Sequence, residues 1–356
     1  MNDATSIRPA DARPPGGERD RGVDIARGIG IALVVLGHAW VGLGGAMGPD
    51  VARDAALIFV YTFHMALFFV LSGAFAGRSA SEPRAAFARR LWRAFVHPYL
   101  LWSLILLGTG YLMRGHTNTS VDRLDPVAIL YRPPAVMWFL YVLMGAFLLL
   151  RATAHRSAPA RLLLAVALGI GGYFLSFWLT GHLRFVGLFL LAAQFGLPSP
   201  RTLSSRGLLW MSVAAMAAAA VLAWREAARG LVGYPGQSIV YLPAAFAGPY
   251  LVLRLSAWLA GSAGRGGPGR PGDWLGRLFS TLGRHTLAIF VLHILFTAGV
   301  RIALMRLGVH DAWAIGVAAT VAGLLAPLGL ARAAQRLGVA HCLGWPATPR
   351  RVDRPA

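Results

Sequence analysis

Of 356 residues, 56% are hydrophobic and only 13% are charged, which excludes a soluble globular chain and describes a polytopic membrane protein. The formal net charge of +20 comes from 34 arginines and no lysine, so a P-loop and a pyridoxal Schiff base are excluded. The single cysteine, Cys342, leaves no internal disulfide or CxxC centre.

Hydrocarbon offers backbone groups no water, so apolar stretches of about 20 residues must be helices. The predicted fold class is therefore all-α, a polytopic integral membrane helical bundle of about ten transmembrane helices. In chain order, a polar tail at 1–22, with "DARPPGGERDRG", is expected to be disordered and cytoplasmic. Spans are predicted near 28–46, 55–77, 95–113, 136–150, 162–180, 185–197, 207–224, 238–260, 285–305 and 312–331. The sixth is short, and Pro243 and Pro249 should kink the eighth. Together they form one transmembrane domain, 23–336, interrupted by a flexible cytoplasmic linker at 261–274 ("GSAGRGGPGRPGDW") and followed by a second tail, 337–356. Small residues ("GLGGA", ending at Ala46) follow the first apolar stretch as in a cleaved signal, but the long charged lead and nine further spans favour an uncleaved helix. No internal repeat is visible.

With a cytoplasmic N-terminus, 25 of the 34 arginines fall on the cytoplasmic side, a bias that places both termini there. The excess charge is then a topology signal with attraction to the anionic lipid bilayer, and nucleic acid is not needed to explain it. No HExxH or GxSxG motif occurs. The 14 acidic residues lie in tails, loops or span ends, so the bundle core has no carboxylate for ion coupling.

Histidine is what the core retains. "RGIGIALVVLGHAW" carries His38 in the first span, the second span holds His64, and the ninth holds His293. An ionisable group at such depth is a functional candidate, although each imidazole alone could be a hydrogen-bonded packing residue. Arg27 and His38 stand eleven residues apart, so they share a helix face with His38 about 16 Å deeper. A neutral imidazole there can take a proton from a hydroxyl, and a guanidinium at the mouth can hold a phosphate or polarise a thioester carbonyl. In "FARRLWRAFVHPYLLW", Arg90 and Arg93 are three apart and share a face suited to a ligand with several phosphates, such as coenzyme A. The plainer reading of Arg89, Arg90 and Arg93 is anchoring at the cytoplasmic interface. His97, Pro98 and Tyr99 read as a tightened interfacial helix entry.

The ordered series "RGVDIARGIGIALVVLGHAW", "YTFHMALFFVLSGAFAGRS", "RRLWRAFVHPYLLW", "WFLYVLM" and "LGRHTLAIFVLH" resembles the membrane acyltransferase-3 family, especially its fucose 4-O-acetylase-like branch, from about residue 21 to 331. The resemblance implies a ten-helix enzyme of the bacterial inner membrane that moves an acyl group, usually acetyl, from cytoplasmic acyl-CoA to a hydroxyl of a carbohydrate acceptor, without a metal. The family's arginine, ten residues, histidine motif falls on Arg27 and His38, and its Arg-x-x-Arg motif on Arg90 and Arg93. By that carry-over His38 is the catalytic base, Arg27 assists it or the coenzyme, and Arg90 and Arg93 bind acetyl-CoA.

Three further residues are expected at the substrate. His64 would line the same cavity or support His38, and His293 would line the pore or pack. Trp138 would stack on the acceptor sugar or belong to an aromatic belt at the outer interface. Ser72 and Gly73 are close-packing residues or line the acyl channel, and Arg284 reads as a topology anchor. Acceptor choice is left to the outer loops around 114–135. Two other classes stay open: a transporter or flippase whose Arg114, Arg123, Arg132 and Arg184 meet an anionic headgroup, and a scaffold in which His38 matters only for stability.

Overall fold

The computed structural model describes residues 20–114, 123–175, 180–230, 238–262 and 271–345. Among them every regular element is helical, and the protein is an all-α membrane bundle. Eight helical stretches are long and apolar enough to cross a bilayer, and two shorter apolar helices coincide with the fifth and sixth expected spans. Large exposed apolar side chains such as Trp210, Met211 and Trp224 form the kind of surface that lipid covers.

Asp20 starts helix α1 (Arg21–Met47), its carboxylate accepting from the Gly22 and Val23 N–H groups at 2.8 and 3.2 Å. Residues 20–22, expected in the tail, are thus the cap and first turn of a helix about 40 Å long. The second span is two helices, α2 (Val51–Tyr61) and α3 (His64–Ala74), broken at Thr62 and Phe63. The Phe63 ring fills the place where Gly248 has no side chain, which fixes the break against a neighbouring helix. Uniform hydrophobicity on both sides hides such a break from the sequence.

The third span joins α4 (Arg84–Leu91) to α5 (His97–Leu112) through one π turn, Trp92–Val96. Next come α6 (Trp138–Ala152), α7 (Ala158–Gly171) and α8 (Leu183–Phe195), of 15, 14 and 13 residues. α7 and α8 are about 20 Å long, a third short of the hydrocarbon thickness, whereas α6 is the second half of a 27-residue helical stretch, Pro126–Ala152. The short α9 (Pro200–Ser204) leads to α10 (Arg206–Ala228) and α11 (Leu242–Ser262), which carries Pro249 within it.

The two ends of the expected linker are helical: 261 and 262 close α11. Residues 263–270 lie outside the described ones, but 271–274 open α12 (Pro271–Arg284), an amphipathic helix that lies across the first turns of α1. A Cβ at Gly28 would overlap the Phe279 carbonyl, and one at Gly283 would overlap the Asp24 carbonyl, so two glycines allow this backbone-to-backbone crossing. Then α13 (Thr286–Arg306) and α14 (Ala312–Arg336) pack together and against α1, which touches six other helices and forms the axis of the bundle. The expected C-terminal tail begins by docking: Trp345 stacks on Trp102, whose Nε1–H donates to the Leu343 carbonyl at 3.0 Å. Residues 346–356 lie outside the described ones.

Two apolar cores meet at α1 and α3, one reaching α5, α6, α8, α13 and α14, the other α2, α10 and α11. The buried carboxylates Asp24, Asp54 and Asp273 all sit in the first turns of α1, α2 and α12, at helix ends. Asp54 pairs with the equally buried Arg53 at 2.9 Å.

Candidate active site

One stripe of α1 organises the site. Arg27, Val34 and His38 are spaced by seven and four residues and so share a face. Arg27 and Val34 line a cleft of about 230 Å³ that runs between α1, α3, α6 and α13. Arg27, Arg284, Ala94 and Phe95 lie at one end of it, and Val34, Phe68, Phe139 and Phe290 give the remainder an apolar wall. His38 lies one helical turn past Val34, outside the cleft lining.

There it meets the other two core histidines. Its ring centroid is 5.2 Å from that of His293 and 6.3 Å from that of Tyr61, and Tyr61 is 4.7 Å from His64. Three histidines from three separate spans therefore cluster around His38 and Tyr61. Tyr61 was missed, because it falls at the unforeseen break after α2.

Local hydrogen bonds fix two of the rings. His293 Nδ1 lies 2.7 Å from the Phe290 carbonyl and 3.1 Å from that of Ile289. Carbonyls only accept, so Nδ1 carries the hydrogen and Nε2 presents a lone pair. That Nε2 is buried and has no hydrogen-bond partner among the described residues. His64 is held in the same way, Nδ1 donating to the Val60 carbonyl at 2.8 Å, which also accepts the Phe63 N–H at the break between α2 and α3. Phe290, which lines the cleft, has its ring 6.2 Å from that of His293, so the cleft and the histidine cluster adjoin.

The arginine pair stands apart from the cleft. Arg90 donates from Nε to Glu82 at 2.9 Å and from Nη2 to Ser79 at 2.6 Å, and covers the rings of Phe87 and Phe147. Arg93 is exposed. Neither lines the cleft, because the π turn that starts at Trp92 changes the register and turns Ala94 and Phe95 to it instead. Arg284 takes the place beside Arg27. It was legible only through α12, whose signal was the helical spacing of Leu275, Leu278, Phe279 and Leu282.

Trp138 opens α6, thirteen residues from Arg151, whose guanidinium donates to the Ser79 and Glu82 carbonyls at the end where Arg90 sits. That places Trp138 about 20 Å along α6 from the Arg90 end. Its half-exposed indole lies 4.2 Å from the His182 ring and 5.9 Å from Phe185. Ser72 lines the cleft, and Gly73 packs against the Phe189 carbonyl of α8. Arg114, Arg123 and Arg132 are exposed, whereas Arg184 is buried over the rings of Tyr173 and Phe185.

A histidine cluster deep in a bundle of apolar spans, adjoining a cleft with two arginines, defines an integral membrane protein with an intramembrane site. Comparison with known families places it further: a family model described as an acyltransferase domain, of the acyltransferase-3 type, matches residues 20–332. The chain belongs to that family and is a membrane acyltransferase. No curated protein and no solved structure matches it.

Proposed function

We propose that the protein is an O-acyltransferase that moves an acyl group, acetyl being the simplest, from cytoplasmic acyl-CoA to a hydroxyl of a sugar or of an exported or cell-surface glycan. It would do so in a bacterial inner membrane, with both termini and the arginine end of the cleft on the cytoplasmic side. The observation that carries this reading is the single stripe of α1 that leads from Arg27 along the cleft to His38 and its partner His293.

The cleft suits part of the donor. At about 230 Å³ it is smaller than the roughly 300–1,000 Å³ of sites that enclose a drug-sized ligand. It fits the narrow pantetheine arm while the nucleotide stays outside. Arg27 and Arg284 would hold phosphate oxygens at the mouth, with Arg93 exposed nearby, and the apolar wall would take the arm. About 16 Å separates Arg27 from His38 along the helix, so Arg27 serves the phosphates and not the thioester carbonyl.

At the deep end His38 is the general base. The unpartnered His293 Nε2 lies beside the His38 ring, and a small turn of that ring would let a His38 N–H donate to it, leaving the other imidazole nitrogen free to accept. It takes the hydroxyl proton of the acceptor as that oxygen attacks the thioester carbonyl carbon. The tetrahedral intermediate collapses with cleavage of the C–S bond, and the imidazolium returns the proton to the departing thiolate. The products are the ester and free coenzyme A. His64 and Tyr61 wall the opposite side of His38 and keep its ring in place.

Binding of acetyl-CoA to the purified protein tests the donor half. Replacing both Arg27 and Arg284 by Gln removes two charged phosphate contacts and should weaken binding at least tenfold. An unchanged affinity in the double variant would place the coenzyme elsewhere.

A further inference from the structure

Beyond the histidines, away from the cleft, lies a buried cation with no counter-ion among the described residues. Arg301 of α13 is 7% exposed. Its Nε and Cδ lie 3.4 and 3.8 Å from where a Cβ of Gly42 would stand, so the missing side chain at Gly42 makes room for its stem. Gly42 is one turn past His38, about 6 Å farther from the cleft. Arg301 is two turns past His293 on α13, about 12 Å farther. The two helices run in the same direction, so a stem that reaches the level of Gly42 leans back toward the histidine pair, as helical side chains lean toward the N-terminus of their helix.

Arg53 and Arg184, the other two buried arginines among the described residues, are both compensated. Arg53 faces α1 two residues farther on, beside Gly44, and is bound to the Asp54 carboxylate and the Gly48 carbonyl. Arg151 donates to two carbonyls, and Arg184 lies over two aromatic rings. Among the described residues, Arg301 has no carboxylate, no ring and no hydrogen-bond acceptor. A guanidinium presents five N–H donors and keeps its charge, so burial without an anion is costly and marks a place where an anion is supplied from outside.

We propose that Arg301 is the acceptor's anchor: it binds a carboxylate or phosphate of the glycan that receives the acyl group, on the side of His38 opposite the donor cleft. The acceptor class is then an acidic or phosphate-bearing sugar. This rests on the acyltransferase reading above and extends it to the second substrate. A planar fork binding two oxygens of the anion would set the orientation of the ring, and hence which hydroxyl reaches His38.

The test measures the melting midpoint of the full-length protein in detergent against D-glucuronate, D-glucose 1-phosphate and D-glucose, for wild type, Arg301→Gln and Arg301→Lys. A ligand that binds the native state raises the midpoint in proportion to its affinity. The expected result is a rise with either anionic sugar and none with glucose, an apparent affinity at least tenfold weaker in Arg301→Gln, and an intermediate one in Arg301→Lys. Equal responses of wild type and Arg301→Gln, equal responses to glucose and glucuronate, or no response to either anionic sugar would overturn the proposal.

Should Arg301→Gln fail to fold, the lysine variant decides, since it keeps the charge and loses the fork. An affinity equal to wild type in Arg301→Lys would count against the proposal. A parallel titration in nanodiscs of phosphatidylglycerol against phosphatidylcholine separates the sources: an Arg301-dependent response to the lipid alone would assign the site to a headgroup and overturn the acceptor role. Acetyl-CoA binding, measured on the same samples, reports separately on the acyltransferase reading, which falls if wild type does not bind the donor.

Discussion

His293 and Arg53 show how differently a buried polar side chain can be used in this bundle. His293 commits Nδ1–H to the carbonyls of its own helix and keeps Nε2 without a partner beside His38. If that lone pair orients His38, replacing His293 by Ala should lower kcat about 10- to 100-fold, the worth of a hydrogen bond to a group that becomes charged, and leave acetyl-CoA binding unchanged. Loss of donor binding with kcat preserved would assign His293 to the cleft instead. Arg53 is structural: its pair with Asp54 is 4% exposed on both sides, so Asp54→Ala leaves a buried cation and should cost about 3–5 kcal/mol in thermal or denaturant unfolding. A cost below about 1 kcal/mol would show that solvent reaches the pair. The residues readable from sequence were those tied by spacing within one helix, Arg27 and His38 above all. Arg90 and Arg93 were read as a pair on an unbroken helix, and the π turn at Trp92 removes that premise. Arg301 could not be singled out, because its lack of a counter-ion is a property of what surrounds it in space.

At the scale of elements, the ten apolar stretches were legible because hydrophobic length alone defines them, whereas breaks within apolar runs were not. The break at Thr62 and Phe63, which sets both Tyr61 and His64, depends on Phe63 entering the space beside Gly248 on a distant helix. Helix α12 was hidden differently: its Gly- and Pro-rich lead reads as linker, and the helix is only about four turns long. The crossing of α1 and α12 carries the mouth of the cleft, since Gly283 and Arg284 both line it. Gly28→Ala or Gly283→Ala should therefore separate two backbones, costing about 1–3 kcal/mol or more of stability, and weaken acetyl-CoA binding as Arg284 moves. Fluorescence-detected chromatography with a heat step reads the first effect and a binding titration the second. Wild-type behaviour in both would mean that the crossing is loose.

The molecule as a whole has a polarity that the arginine count suggested and that its lone cysteine can report. Cys342 is exposed, and the segment containing it docks on α5 close to Ala94 and Phe95 at the cleft mouth. A membrane-impermeant maleimide should label Cys342 in inverted vesicles and not in intact spheroplasts. Labelling in spheroplasts would turn the cleft away from the cytoplasmic coenzyme pool. Delivery of an acyl thioester along the α1 stripe to a histidine base has coenzyme A release as its direct readout. The measurement is made on purified wild type and a folded His38→Ala variant, supplied with acetyl-CoA and a panel of neutral and acidic sugars. Acceptor-dependent release by wild type should fall about 10²- to 10⁴-fold in His38→Ala while acetyl-CoA still binds; release at the wild-type rate without the imidazole would rule out a histidine base.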